Sequence, residues 1–593
     1  MNTFIKNRAL ILVIFLFYIL CFGYYSGTDL GLFPDENQHL GYVIDVTNHG
    51  FPDYVRGMSY GTNKLNYLQH PALYYLVAGA VEKFLDLLNI SDFKLIRLVN
   101  VVISSLTLLT VYFSLKKLIS NQFVIFTSLL LIISIPMFVA LSSSISNDPL
   151  MILGGALIFH ALILYYHNSS TSKILYFLLS GGLIVSLTKA TGALSVLCIL
   201  AVFIVFENKK ILDRIRSLNK KNYSFIALSL AIITIYYISI HIKFGAFFPA
   251  PQKDPSDWYL ETYPNAHRYS LLDHISAFYQ SNIRTLLIPY GHKSFDDLQL
   301  REAMLSFSLV LIPFFSIYIT HLGIKKKSNM WQLSFISLFS FLIFITFYFI
   351  TIHRLNIRTG YPGAMQARYF FAFLPAFSII YGMAYQNIKN QLVLGLSSVI
   401  VITAGLLSIY PAFYPAVSPL ISSYYGQSKS DTFYGELTKD RKFEQTFIAK
   451  SSCLNSVELN LATFARTNNS NVILEIMNNK NESVAKEKVN SRQLIDNSWA
   501  AFSFGYIPLT KGEEYRLKLT SDGSSGNAIT WYSFSGKSDY PMYVGTIYGP
   551  ADPQKLTKTS GKAFVDGMPV NAEFSFRIYN SGWKNPCKKM ASH

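Results

Sequence analysis

The chain has 593 residues, 51% of them hydrophobic and only 14% charged, with a mean hydropathy of +0.30. Soluble domains carry about 25% charged residues, so this deficit excludes an ordinary soluble globular protein and points to a bilayer. The formal charge of +17 invites a nucleic-acid reading, but the basic residues gather in short loops between apolar runs. The positive-inside rule accounts for that placement, and no nucleic-acid partner is expected.

The first apolar run, near residues 9–25, follows Lys6 and Arg8. It has no small-residue cleavage site, so it reads as an uncleaved anchor rather than a signal peptide. Directly after it stands Pro34-Asp35-Glu36-Asn37-Gln38-His39. Two adjacent carboxylates and a histidine where a span meets water point to chemistry or ligand binding. The competing reading is a helix start, with Asp35 as the cap and Glu36 in the first turn. Two amphipathic pieces follow, residues 36–48 and 71–88, too short or too interrupted by charge to span and suited to the membrane interface.

Further spans are expected near 95–115, 122–141, 148–167, 173–188, 191–206, 223–241, 303–323, 331–351, 368–386 and 391–410, about eleven in all. Lys116 and Lys117, the 209–221 cluster, Lys325 to Lys327 and Lys389 all fall on one side when these spans are threaded alternately. That side is the cytoplasm. The N-terminus is then inside, and the outer segments are 26–94, 242–302 and 352–367.

Residues 411–449 begin with Pro411, Pro415 and Pro419 and read as a linker. From 450 to 593, alternating runs such as 472–477, 499–507, 514–519, 528–534 and 573–579 are separated by Gly- and Asn-rich turns. That pattern predicts an extracytoplasmic antiparallel β-sandwich. Cys21 and Cys198 lie in apolar spans, whereas Cys453 and Cys587 bracket the sandwich. A disulfide between the latter two is expected if an oxidising compartment and the geometry allow it. Trp499, Trp531 and Tyr532 fit either a sugar-stacking face or core aromatics, the core reading being the stronger.

Other polar groups share the outer side with Asp35 and Glu36. Asp148 opens the fourth span, where it also fits an N-cap. Lys189 tips the 173–206 hairpin, where it also fits a snorkelling side chain. His70 opens the second amphipathic piece. His353, Arg354, Arg358 and Arg368 form an outward basic cluster that the positive-inside rule disfavours, and arginines suit phosphate oxygens. Carboxylates and cations together suggest a substrate with a phosphate and a transferable group, such as a lipid-phosphate-linked sugar.

The order and placement of these motifs resemble the GT-C superfamily of membrane glycosyltransferases, and within it the protein mannosyltransferase-like and aminoarabinose-transferase-like members. Asp35-Glu36 in the first outer loop resembles the family's acidic pair. Gln69-His70-Pro71-Ala72-Leu73-Tyr74-Tyr75 resembles an H-P-P-L-Y-Y segment with Ala72 in place of the second proline. Asn147-Asp148-Pro149-Leu150 resembles the acidic start of the fourth span. Gln366-Ala367-Arg368-Tyr369-Phe370 resembles a Q-G-R-Y stretch with Ala367 in place of glycine.

The resemblance covers roughly residues 1–410 and implies a GT-C-like transmembrane catalytic domain ahead of the sandwich, which resembles a carbohydrate-binding module in some members. It implies Asp35 as general base and Glu36 as an acceptor-orienting or assisting group. Asp148 and His39 become candidates for acceptor or metal contact. Lys189, Arg368 and His70 would hold the lipid phosphate, with Arg354 and Arg358 as further candidates from the basic cluster. No cofactor is certain, and some relatives use a divalent metal. The expected activity is inverting transfer of a sugar from a polyprenyl-phosphate donor to a glycan, lipid or protein acceptor. It would take place on the outer face of a bacterial cytoplasmic membrane. The alternatives are a glycan transporter or polymerase, or a non-catalytic glycan-binding membrane protein. Against the transporter stand polar groups at the outer ends of spans rather than mid-membrane.

Overall fold

The computed structural model describes residues 2–28, 33–50, 70–90, 92–216, 218–247, 268–287, 330–361, 365–388, 398–399, 401–403, most of 424–535, and 561–579. The first part is helical: α1 (Asn2–Gly27), α2 (Glu36–His49), α3 (Leu73–Leu87), α4 (Arg97–Leu118), α5 (Gln122–Ile133), α6 (Pro136–Ser142), α7 (Asp148–Tyr166), α8 (Thr171–Ser186), α9 (Ala190–Arg216) and α10 (Lys220–Phe244). The helices Leu271–Leu287, Met330–Thr359 and Leu374–Asn387 follow, the last entered through a 3-10 helix at Ala367–Phe373.

Among the described residues, seven helices are long and apolar enough to cross a membrane, or eight if α5 and α6 form one bent span. The chain is thus a polytopic helical membrane protein. The expected single span at 122–141 is broken by 73°. Pro136 at the break supplies no N–H and crowds the preceding turn, so the helix cannot run through it. The expected 173–188 span is the 16-residue α8, apolar but shorter than a straight crossing needs. The expected spans at 303–323 and most of 391–410 lie outside the described residues.

α7 is the centre of the bundle, with 94% of its span buried. Two adjacent glycines let neighbours reach its backbone. A Cβ on Gly155 would lie 2.2 Å from the Ala372 carbonyl oxygen, and one on Gly154 would lie 2.3 Å from a Val185 methyl. Small residues of this kind allow the close helix approach on which packing in lipid depends. They bring α8 against Gly154 and the 3-10 helix against Gly155. The two expected interfacial pieces are α2 and α3. They pack on each other through Val43, Val46 and Gly79, so neither lies alone on a surface.

The C-terminal part is a β-sandwich of two antiparallel sheets. One runs β1 (Tyr424–Tyr425), β13 (Phe576–Tyr579), β4 (Cys453–Ala462), β9 (Thr530–Phe534), β12 (Glu573–Phe574), with β2 (Thr432–Phe433) on β9 and β7 (Ser498–Pro508) on β4. The other runs β11 (Met568–Val570), β10 (Ala563–Val565), β3 (Lys442–Ile448), β8 (Glu514–Ser521), β5 (Asn471–Met477), β6 (Ser483–Asn490). β5 and β8 alternate buried and open positions as a half-buried strand must.

The sandwich begins before residue 450, which corrects the expected boundary, because β3 pairs with both β8 and β10 inside its sheet. β3 escaped the sequence pattern because Glu444, Gln445 and Thr446 are buried on it. Gln445 is satisfied there, donating to the Thr446 carbonyl at 2.9 Å and accepting the Phe574 N–H at 2.7 Å. Trp531 is a core residue, fully buried, stacked on Phe574 and donating to the Ser575 carbonyl. Trp499 is buried too, beneath the Arg577 guanidinium at 4.0 Å. Cys453 is disulfide-bonded, while Cys21 and Cys198 are free; Cys587 lies outside the described residues.

Candidate active site

Four segments far apart in sequence meet beside the start of α7. They are the turn Phe33–Glu36 after α1, the Ser142–Asp148 loop, Lys189 between α8 and α9, and the 3-10 helix carrying Arg368. Asp35 adopts φ 58°, the left-handed region that Asp tolerates better than most residues. It occupies the N-cap position of α2, yet its side chain makes no cap bond. It pairs with the Arg368 guanidinium instead. The helix-cap reading of Asp35 therefore describes its place in the chain but not what its carboxylate does.

Arg368 is 2% exposed and reaches a second carboxylate, with Nη1 3.5 Å from Asp148 Oδ2. The other oxygen of Asp148 receives Lys189 Nζ at 2.5 Å. The result is a buried row of alternating charge: Asp35, Arg368, Asp148, Lys189. Such ions are tolerated away from water only when each is paired, because desolvation of a single one is costly. Asp35 is the open end, with 28% of its side chain exposed, against 0–3% for the other three. The Tyr369 ring lies under both cations, 5.0 Å from Lys189 Nζ and 5.5 Å from the Arg368 guanidinium carbon.

Glu36 points the other way. It is fully buried and binds Arg97 through two bonds, Nε to Oε1 at 2.8 Å and Nη2 to Oε2 at 2.9 Å. Its Oε1 also accepts the Ile145 N–H at 3.0 Å. Arg97 Nη1 in turn donates to the carbonyl and the hydroxyl of Thr28, each at 3.0 Å. This knot ties the end of α1, the start of α2, α4 and the loop before α7 together. Adjacent carboxylates thus have different surroundings, one partly open and one locked inside.

His39 donates to or accepts from the Tyr75 hydroxyl at 2.7 Å, and its ring lies 6.0 Å from that of His70. Burial pushes the His39 imidazole down to about 3 against the opposing pull of Asp35. Burial and the nearby Lys189 charge hold His70 well below its ordinary value. Both rings are therefore neutral at physiological pH.

Arg354 and Arg358 carry exposed side chains on the last turns of the Met330–Thr359 helix, apart in character from buried Arg368. The outward basic cluster is thus divided, with one arginine in the charge row and two at the surface. His353 meets His274 across a 2.9 Å Nδ1–Nδ1 contact.

Among the described residues, no three His, Cys, Asp or Glu side chains are grouped to hold a metal. Of the two residues expected as acceptor or metal contacts, Asp148 is paired with Lys189 and Arg368, and His39 meets the Tyr75 hydroxyl.

Arg97 and Tyr369 were absent from the sequence candidates. Arg97 had a signal: it is a charged residue at the start of an apolar run, where an ionisable group implies a buried partner. Tyr369 had a signal in its place as the tyrosine of the Q-G-R-Y-like stretch, but no role was drawn from it.

Residues 69–251 match the family model described as dolichyl-phosphate-mannose-protein mannosyltransferase. No curated protein matches the chain in sequence. Among solved structures, the chain is similar to ArnT from Cupriavidus metallidurans bound to undecaprenyl phosphate, at 12% identity and a TM-score of 0.42, covering 70% of this chain and 65% of that one. It is also similar to the Archaeoglobus fulgidus oligosaccharyltransferase in complex with Zn and sulfate, at 14% identity and a TM-score of 0.39, covering 69% of this chain and 52% of that one. The chain thus spans less than two thirds of the length of either protein. The family likeness is to the dolichyl-phosphate-mannose-protein mannosyltransferase model and is confined to residues 69–251, less than half of the chain.

Proposed function

We propose that the chain is an inverting glycosyltransferase that moves a sugar from a polyprenyl-phosphate donor to a hydroxyl of a glycan, lipid or protein acceptor. The reaction takes place on the outer face of a bacterial cytoplasmic membrane, with the N-terminus inside and the sandwich outside. The observation that carries this reading is the row Asp35–Arg368–Asp148–Lys189, buried except at Asp35.

In this reading the donor phosphate competes with Asp35 and Asp148 for Arg368 and Lys189. Arg368 suits the task because its planar fork grips phosphate oxygens bidentately. Withdrawing Arg368 toward phosphate leaves the Asp35 carboxylate facing the acceptor. Asp35 then takes the acceptor hydroxyl proton while the acceptor oxygen attacks the anomeric carbon. The bond from that carbon to the phosphate oxygen breaks, and the electron pair leaves with polyprenyl phosphate. One displacement inverts the anomeric centre. The cations neutralise the charge that grows on the leaving phosphate, where low local dielectric makes them most effective. Asp148 keeps Lys189 and Arg368 in register, and Glu36 with Arg97 fixes the turn that presents Asp35.

The test is sugar transfer in vesicles from a panel of polyprenyl-phosphate sugars, comparing wild type with Asp35→Asn. The expected result is loss of turnover with polyprenyl-phosphate binding largely retained. Undiminished transfer by Asp35→Asn would remove Asp35 from the role of base.

A further inference from the structure

The Leu271–Leu287 helix has no part in the proposed reaction, yet it holds the backbone that carries Arg368. Its start is fixed by Ser270, which accepts the Asp273 N–H at 3.2 Å and donates to the Asp273 carboxylate at 2.7 Å. Ahead of it, the Tyr269 N–H donates to Asn356 Oδ1 at 2.9 Å and Arg268 Nε to the Ile357 carbonyl at 3.0 Å. These contacts anchor the helix on the end of the Met330–Thr359 helix.

One face of the helix then runs over the approach to Arg368. Ser281 Oγ donates to the Met365 carbonyl at 2.6 Å, and Thr285 Oγ1 accepts the Ala367 N–H at 3.0 Å. Residues four apart share a helix face, so the two hydroxyls form a clamp one turn long. It closes on residues 365 and 367, directly before Arg368. Phe278, one turn earlier, packs its ring 6.1 Å from Phe370 on the far side of Arg368. The chain is therefore gripped on both flanks of the arginine, one polar and one aromatic. The segment needs this support because it is extended at Gln366 and becomes a short 3-10 helix at Ala367, with poorer internal hydrogen bonding than an α-helix.

We propose that Ser281 and Thr285 are positioning residues that set the Arg368 guanidinium for the donor phosphate. The inference rests on the reading of Arg368 as a phosphate group in the proposed function. Neither hydroxyl touches the charge row itself; each acts through the backbone before Arg368.

The experiment uses the full chain in lipid nanodiscs, with a polyprenyl monophosphate as the binding probe and transfer kinetics beside it. Thr285→Val removes the acceptor while keeping the shape, Ser281→Ala removes the donor, and Thr285→Ser restores a hydroxyl. Thr285→Val and Ser281→Ala are expected to weaken probe binding and raise the donor KM about tenfold, with acceptor KM unchanged. Thr285→Ser is expected to return both to near wild type. Wild-type probe affinity in Thr285→Val and Ser281→Ala overturns the clamp, as does Thr285→Ser behaving like Thr285→Val. If Thr285→Val fails to fold, Ser281→Ala decides by the same criterion. Arg368→Lys separates the two readings. If Arg368→Lys binds the probe as wild type does, the phosphate role of Arg368 has failed. If it binds weakly while the hydroxyl variants bind normally, only the clamp has failed.

Discussion

Glu36 and Arg97 offer the sharpest test of how this site is built. Both side chains are fully excluded from solvent and joined by two bonds of 2.8 and 2.9 Å. Removing one partner of such a pair strands the other charge, which costs about 3–5 kcal/mol. Native states are stable by only about 5–15 kcal/mol, so Glu36→Leu or Arg97→Met should consume a large share of the total. Replacing both removes the stranded charge and leaves the lost bonds to Ile145 N–H and Thr28, about 1 kcal/mol each. The double variant is therefore expected to be no less stable than either single one. Denaturant unfolding in mixed micelles, run as a double-mutant cycle, reads the coupling directly. The milder Glu36→Gln should lower kcat through a misplaced Asp35 while leaving acceptor KM unchanged. Additive single effects, or a rise in acceptor KM without loss of stability, would refute this reasoning and return Glu36 to the acceptor.

Arg368→Ala should weaken polyprenyl-phosphate binding more than acceptor binding, by about 1.5–3 kcal/mol for a charged hydrogen-bonding group; equal donor affinity in titrations of variant and wild type would take the arginine out of the phosphate site. His39 is held down to about 3 by burial, below the ordinary 6.5 of the unfolded chain. As pH falls below 6.5 the unfolded chain takes up a proton that the folded chain refuses, so stability drops between about 6.5 and 3, at full slope by roughly 1.4 kcal/mol per pH unit. His39→Gln should therefore show a shallower fall in unfolding midpoint from pH 7 to 5 than wild type; parallel curves would contradict a neutral buried His39. Cys453 is expected to pair with Cys587, so non-reducing peptide mapping should recover that cross-link, and reduction should cost the sandwich about 2–4 kcal/mol.

Much of the architecture is legible along the chain because the bilayer imposes long apolar runs and half-buried strands impose alternation. α1, α4, α7, α9 and α10 fall where their runs predict, and β5, β7 and β8 where alternation predicts them. Where another force overrides these rules, pattern reading fails. Pro136 bends an apolar run that hydropathy treats as one span. β3 buries Glu444, Gln445 and Thr446 because the neighbouring strands and loops satisfy them, so its composition hides it.

The site divides the same way. Composition and order along the chain singled out Asp35, Glu36, Asp148, Lys189 and Arg368, since ionisable groups beside apolar runs are costly and stand out. Their pairing depends on segments more than three hundred residues apart meeting beside the start of α7. Only the tertiary structure decided that Asp35 faces Arg368 while its neighbour turns inward to Arg97. Only it divided Arg368 from Arg354 and Arg358. Sequence marks which charges must be compensated; the fold alone chooses the partner, because a buried ion is stable only where a counter-ion is brought within hydrogen-bond reach.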